Sequence, residues 1–198
     1  MDGTLIDSSN VIANSINYVR EQLTLPPMER KQIVSCINNV NIHAPSFFYE
    51  VPEFTKEHQL WFSEYYERYH HIDTILYEGI EDLLEKLKKT HKLSIATNAY
   101  KTSAKQMLEA KNISRHFDIV MCADEVEKPK PDKEMIEVII DYYGGDRDEF
   151  VVIGDGERDI MAAKNAGVDS ILVNWGFSDH KSEAIRDVDG LESLIFSI

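Results

Sequence analysis

The chain has 198 residues, enough for one domain of ordinary size carrying a smaller insertion. Hydrophobic residues make up 43% and charged residues 28%, the usual range of a folded globular protein, which excludes disorder of the whole chain. Lys and Arg number 21 against 35 Asp and Glu, and the net charge of −14 argues against nucleic acid or an anionic membrane as a partner. No apolar run approaches the ~20 residues of a membrane span. The start, Met1-Asp-Gly-Thr-Leu-Ile-Asp7, has neither the basic nor the apolar part of a signal peptide. The two cysteines, Cys36 and Cys122, are far apart and lie in apolar runs. No disulfide scaffold or zinc cage is expected, and a reducing cytoplasm is.

In chain order, the first third reads as successive helices. Val11, Ile12, Ile16, Val19 and Leu23 recur at helical spacing until Pro26-Pro27 stops the run. A second segment holds Ile33, Val34 and Ile37 and ends in an irregular stretch from Asn38 to Asn41. Thr55 is placed to cap a helix that carries Glu57 and His58 in its first turn, then Trp61, Phe62, Tyr65, Tyr66 and Tyr69. From about Tyr77 the pattern becomes alternating. Ile80, Leu83, Leu84 and Leu87 form a helical stripe, followed by strands over Lys92–Thr97, Phe117–Cys122, Phe150–Ile153 and Ser170–Val173. Helices over Thr102–Lys111, Asp132–Tyr143 and Arg158–Ala166 separate them. Strands spaced by helices of this length predict a doubly wound parallel sheet, an α/β fold, with right-handed crossovers. Ligands of such sheets bind beyond the carboxyl ends of the strands. That rule selects Asp2-Gly3-Thr4, Thr97-Asn98, Glu127 to Pro131, and Gly154 to Asp159.

At those four places the sequence resembles the haloacid dehalogenase superfamily, most closely its phosphoglycolate phosphatase-like branch. Asp2-Gly-Thr-Leu-Ile-Asp-Ser8 matches the first motif, Asp-x-Asp-Gly-Thr, from its second Asp onward. Ile95-Ala-Thr97-Asn98 matches the second, a Ser or Thr ending a strand. Lys128-Pro-Lys-Pro131 matches the third, a Lys in Lys-Pro-x-Pro, and Val151-Val-Ile-Gly-Asp155-Gly-Glu-Arg-Asp159 the fourth, Gly-Asp-x-x-x-Asp. Each motif alone is weak; four in order, each at a strand end, are specific. The resemblance spans the chain and implies a core of residues 1–8 and 73–198 with an inserted helical cap over 9–72.

The same resemblance implies Mg²⁺-dependent hydrolysis of a small phosphate monoester through an aspartyl-phosphate. Asp2 would protonate the leaving oxygen and then activate water, its backbone carbonyl serving as a metal ligand. Gly3 would allow close backbone approach to phosphate. Thr97 and the Asn98 amide would donate to phosphoryl oxygens. Lys128 would neutralise them, with Lys130 as its rival in the same tetrapeptide. Asp155 would bind Mg²⁺, and Asp159 would hold a metal water or the lysine. The partner would be a small phosphorylated metabolite, the protein a monomer or homodimer. The family's nucleophile, two residues before Asp2, falls outside the 198 residues, as does the strand leading into it. About five buried apolar side chains at ~1.5–3 kcal/mol each would go with that strand, as much as the ~5–15 kcal/mol that holds a whole domain. The 198 residues are therefore expected to begin at an internal Met. The rivals are a phosphomutase of the same superfamily and, should Met1 be the native start, an inactive phosphate-binding protein.

Substrate choice should reside in the cap, where the sequence is least legible. Relatives often place Gly near Ile37-Asn38 and Pro-Gly where this chain reads Glu78-Gly79. The aromatic set from Trp61 to Tyr69 is expected mainly in the cap core, with a substrate wall or dimer surface second. Arg20, Lys31 and His43 are the cap cations that could reach a substrate anion. His70-His71 is expected at the surface, and the two cysteines as inert core residues.

Overall fold

The computed structural model describes residues 1–37, 39, 41–177 and 184–197. Asn38 and Val40, in the irregular stretch of the cap, lie outside them. The chain opens with a two-residue strand, β1 (Ile6–Asp7), and runs into four helices, α1 (Ser9–Gln22), α2 (Arg30–Ile37), α3 (Ala44–Tyr49) and α4 (Lys56–Tyr69). It returns through β2 (Ile75–Leu76), which pairs antiparallel with β1, Ile6 opposite Leu76 and Asp7 opposite Ile75. The insertion thus leaves and re-enters the core at one point. Neither strand is long enough to carry an alternating pattern, and the sequence reading passes over both.

The rest alternates as predicted: α5 (Ile80–Leu87), β3 (Ser94–Thr97), α6 (Lys101–Ala110), β4 (Ile119–Cys122), α7 (Glu134–Tyr143), β5 (Val151–Gly154), α8 (Glu157–Ala166) and β6 (Asp169–Leu172). A last helix, α9 (Val188–Ile195), was not anticipated. β3 pairs parallel with β4, and β5 parallel with β6. No ladder joins β3 to β5 among the described residues.

Side-chain alternation along the strands makes two layers. Ile95 and Cys122 pack with Ile80 and Leu84 of α5 and Met107 and Leu108 of α6. Their neighbours Ala96 and Met121 point the other way, onto Met135 and Ile139 of α7. α8 joins α7 on that second face through Ala162, Ala163 and Ala166. α9 joins α5 on the first, where Leu191 and Ile195 meet Leu83, Leu87 and Val173. Helices on both faces of parallel strands are what the sequence spacing predicts.

The cap has its own core. Ala13, Ile16 and Val19 of α1 pack on Ile33 of α2 and on Phe48 and Tyr49 of α3, with Trp61 and Phe62 of α4 against them. The aromatic set of α4 divides. Trp61 and Phe62 face the cap core, whereas the rings of Tyr65 and Tyr69 meet at 4.5 Å, tilted by 43°, with Tyr18 of α1 beside Tyr65 at 5.5 Å. Tyr66 reaches the core domain, its hydroxyl donating to Met107 Sδ of α6 at 3.7 Å. α4 starts where predicted: the Thr55 hydroxyl accepts the His58 N–H and His58 Nδ1 accepts the Thr55 N–H, both at 3.2 Å. Thr55→Ala should cost about 1 kcal/mol in urea unfolding, and Thr55→Ser should restore most of it.

Candidate active site

The carboxyl ends of β3 and β5 and the first turn of the chain meet beneath the cap. β5 ends at Gly154, and the chain turns at once into α8, so Asp155 and Asp159 fall at the head of that helix. Asp155 is 3% exposed. Its Oδ1 accepts the Thr4 hydroxyl at 3.3 Å and its Oδ2 accepts the Phe177 N–H at 3.0 Å. Burial pushes the Asp155 carboxyl above its ordinary value, against the hydrogen bonds from Phe177 and Thr4 that favour its charged form.

Three glycines make room for these carboxylates. A Cβ on Gly3, whose φ is +75°, would lie 2.3 Å from Asp155 Oδ2. One on Gly154 would lie 2.3 Å from Asp159 Cβ, and one on Gly176 2.2 Å from the Gly3 carbonyl oxygen. Only a bare backbone fits at each position.

The lysine of the site is Lys130. Its Nζ donates to Asp159 Oδ1 at 2.5 Å, and the residue is only 8% exposed. Burial alone would raise the Asp159 carboxyl; the Lys130 ammonium, by charge and by hydrogen bond, opposes it and the carboxyl lies below its ordinary value. The other Asp159 oxygen, Oδ2, accepts the Gly156 N–H at 3.2 Å. Asn98 fixes the loop that carries the lysine: its Nδ2 donates to the Lys130 carbonyl at 2.8 Å and its Oδ1 accepts the Lys130 N–H at 3.0 Å.

The geometry brings Lys130, the rival in the tetrapeptide, to this cavity and not Lys128. Lys128 is exposed and outside the cavity lining, and its backbone N–H is tied to Glu134 Oε2 at 2.9 Å. Both lysines precede a proline, so local sequence does not separate them; the discriminating contact comes from Asn98, on another strand end.

Asp2, Thr97, Asn98, Lys130, Asp155 and Asp159 all line one cavity of about 820 Å³ between core and cap. Asp2 Oδ1 is buried without a hydrogen-bond partner among the described residues. Thr97 is buried, and its Oγ1 accepts the Ala99 N–H at 3.2 Å, leaving the hydroxyl hydrogen to donate elsewhere. Gly3 lies against Asp155 at the floor. The structure therefore gathers Asp2, Gly3, Thr97, Asn98, Asp155 and Asp159 and leaves Lys128 out. The sequence reading missed Gly176 and the Phe177 amide. The Trp175-Gly176-Phe177 run just beyond β6 was the available signal, since it too follows a parallel strand.

Of the three candidate cap cations, none lines the cavity. Arg20 is buried, but its Nε donates to the Pro26 carbonyl at 2.7 Å and its Nη1 to the Phe48 carbonyl. Lys31 is exposed on α2, and His43 Nδ1 pairs with Ser46 Oγ at 2.9 Å. No group of three or more His, Cys, Asp or Glu side chains among the described residues is arranged to hold a metal by itself. Cys122 is buried and its thiol is pushed up to about 12, first by burial and then by Glu125. Cys36, also expected in the core, is only half-buried. His70, expected at the surface, is fully buried, its Nδ1 2.8 Å from the Tyr66 carbonyl oxygen. No helix among the described residues is long and apolar enough to cross a membrane.

The chain is similar to known proteins along nearly its whole length. The family described as haloacid dehalogenase-like hydrolase matches residues 1–173. The pyrophosphatase PpaX of Halalkalibacterium halodurans is 27% identical over 190 residues, covering 96% of this chain and 86% of that protein. A phosphoglycolate phosphatase of Caulobacter vibrioides is 26% identical over 196 residues, covering 93% and 81%. Among solved structures, one described as a predicted phosphatase from Clostridium acetobutylicum superposes with a TM-score of 0.86 over 100% of this chain and 96% of that one. At 23% identity it speaks to the fold alone.

Proposed function

The chain belongs to the haloacid dehalogenase-like hydrolase family, and on that premise we propose that it is a phosphatase that cleaves a small phosphate monoester in the cavity between core and cap. The observation that carries this reading is the buried Lys130–Asp159 pair facing Thr97, Asp2 and Asp155 across one cavity. A buried ammonium and a buried hydroxyl at strand ends suit the oxygens of a phosphoryl group. Relatives named phosphatase and pyrophosphatase along nearly the whole chain support the same class.

Mg²⁺ fits the residues present. Asp2 Oδ1 is an orphaned buried oxygen, and Asp155 is a buried carboxyl whose charged form is disfavoured by burial. Mg²⁺ needs one or two carboxylates, since waters and substrate phosphate complete its shell, so the lack of a three-residue cluster is no obstacle. Asp155 and the backbone carbonyl of Asp2 would hold the ion. When bound, it would supply positive charge to the phosphoryl oxygens.

The protein's own groups divide the remaining work. Lys130, aimed by Asp159 and by the Asn98 clamp, neutralises a phosphoryl oxygen. Thr97 donates its hydroxyl hydrogen to another. The Asp2 carboxyl gives its proton to the leaving oxygen as the phosphorus–oxygen bond breaks. The family resemblance implies that the phosphoryl group passes to a carboxylate two residues ahead of Asp2, a position outside these 198 residues. Asp2, now ionised, then takes a proton from the water that hydrolyses this acyl phosphate. Asp2→Asn, assayed with Mg²⁺ and para-nitrophenyl phosphate, should lower kcat by about 10²-fold or more. Asp155→Ala should do at least as much. Full turnover by either variant overturns the assigned role, and phosphate binding without turnover by the parent protein overturns the phosphatase.

A further inference from the structure

We infer that the ester this cavity accepts carries an uncharged apolar or aryl leaving group, and not a second anion such as a carboxylate or phosphate. This rests on the phosphatase reading and adds the chemistry of the leaving group, which that reading leaves open.

The phosphate-facing groups occupy only one end of a cavity of about 820 Å³. The other end is built by the cap, and all four cap helices contribute apolar side chains to it: Ile12 and Ile16 from α1, Ile37 from α2, Phe48 from α3, Phe62 and Tyr66 from α4. Ile16 and Phe48 are buried, so this wall is part of a packed core and not a loose surface. The exposed rim mixes charged side chains with large apolar ones. Phe54 and Leu60 on the cap side are 44% and 65% exposed, and Tyr100, at the head of α6 on the core side, is 64% exposed. Large apolar side chains left in water on both sides of one cleft are the mark of a surface that meets an apolar ligand.

Among the described residues a second anion would find no buried lysine or arginine free to receive it on the cap side. Arg20 is spent on the Pro26 and Phe48 carbonyls and approaches Glu50 at 3.8 Å. His58, buried in the lining, has its Nδ1 taken by the Thr55 N–H, and Gln59 and Ser63 beside it carry no charge. Lys56 and Arg158 do line the cavity, but both are exposed, and the carboxylate of Glu67 lines it with them. A carboxylate or phosphate placed against Ile16, Phe48 and Phe62 would lose its water and gain no partner.

Calorimetric titration with three non-hydrolysable probes in the presence of Mg²⁺ tests the inference: inorganic phosphate, benzylphosphonate and phosphonoacetate. Benzylphosphonate should bind at least tenfold tighter than phosphonoacetate. Phe62→Ser should reduce that ratio severalfold. Leu60→Ser, at an exposed rim position where refolding is not at risk, should reduce it too. Phosphonoacetate binding as tightly as benzylphosphonate, or a ratio unmoved by both substitutions, overturns the leaving-group class while phosphate binding leaves the phosphate site standing. Failure of all three probes to bind overturns the phosphate site and the leaving-group class with it.

Discussion

Lys130→Met should abolish phosphate binding and destabilise the fold, while Lys128→Met should do neither. The Lys130 ammonium is buried against Asp159 at 2.5 Å, and its removal leaves that carboxylate inside the protein with only the Gly156 N–H among its named hydrogen bonds. Breaking one side of a buried ion pair costs about 3–5 kcal/mol, a large share of the ~5–15 kcal/mol that holds a domain together. Lys128 is exposed, and what it gives the loop is its backbone N–H to Glu134, which a methionine keeps. Urea unfolding and phosphate titration of the two variants provide the check. The double variant Lys130→Met with Asp159→Leu should recover part of the lost stability, since no charge is then stranded, but none of the phosphate binding. Equal effects at positions 128 and 130 would refute the assignment of the lysine.

Gly176→Ala should be strongly destabilising. Its Cβ would lie 2.2 Å from the Gly3 carbonyl oxygen and 2.5 Å from both Cβ and Oδ2 of Asp155. Neither neighbour can retreat. The Gly3 N–H is bonded to the Ile6 carbonyl at 2.9 Å, and Asp155 is held by Thr4 and Phe177. Overpacking of this kind costs up to about 3 kcal/mol, and here it also displaces the carboxylate proposed to hold the metal. Gly144→Ala is the control that separates sterics from backbone strain. Gly144 has φ +67° and ψ 177°, a conformation that essentially only glycine adopts, but nothing within 4 Å of a new Cβ, so only backbone strain is penalised, at about 1–3 kcal/mol. Urea denaturation should rank Gly176→Ala well below Gly144→Ala in stability. A reversed order would mean that the turn around Asp155 yields more readily than its hydrogen bonds imply.

These two positions also mark where the sequence stopped being informative. Core strands and helices were legible because parallel strands buried on both faces are short apolar runs, and the helices between them keep a 3.6-residue stripe. Asp2, Thr97, Asp155 and Asp159 were legible because each sits at a strand end inside a short motif. Lys130 was not, because Lys128 offers the same local pattern and the choice depends on the Asn98 side chain 32 residues away. Gly176 was not, because the backbone it must clear belongs to Gly3 at the other end of the chain. α9 did carry a signal, since Val188, Leu191 and Ile195 are spaced as one helical face, and it was passed over. The aromatic residues of α4 show a further limit. Periodicity places Phe62 and Tyr66 on one face, but only the fold shows that this face is shared between the cap core, the cavity and Met107 of α6.

The pairing of Ile6 with Leu76 has a consequence for how the chain folds. The two residues lie about 70 positions apart, and closing a flexible loop of that length costs about 4 kcal/mol of chain entropy. Most of that length is the four-helix insertion, whose contacts between α1 and α4 and between α1 and α2 lie within itself. Once those helices have packed, the insertion behaves as a compact link whose ends are already close, and little of the entropic cost remains. The ladder of two residues on each strand is therefore best made after the cap, and the core strands that follow β2 can assemble on a stem already set.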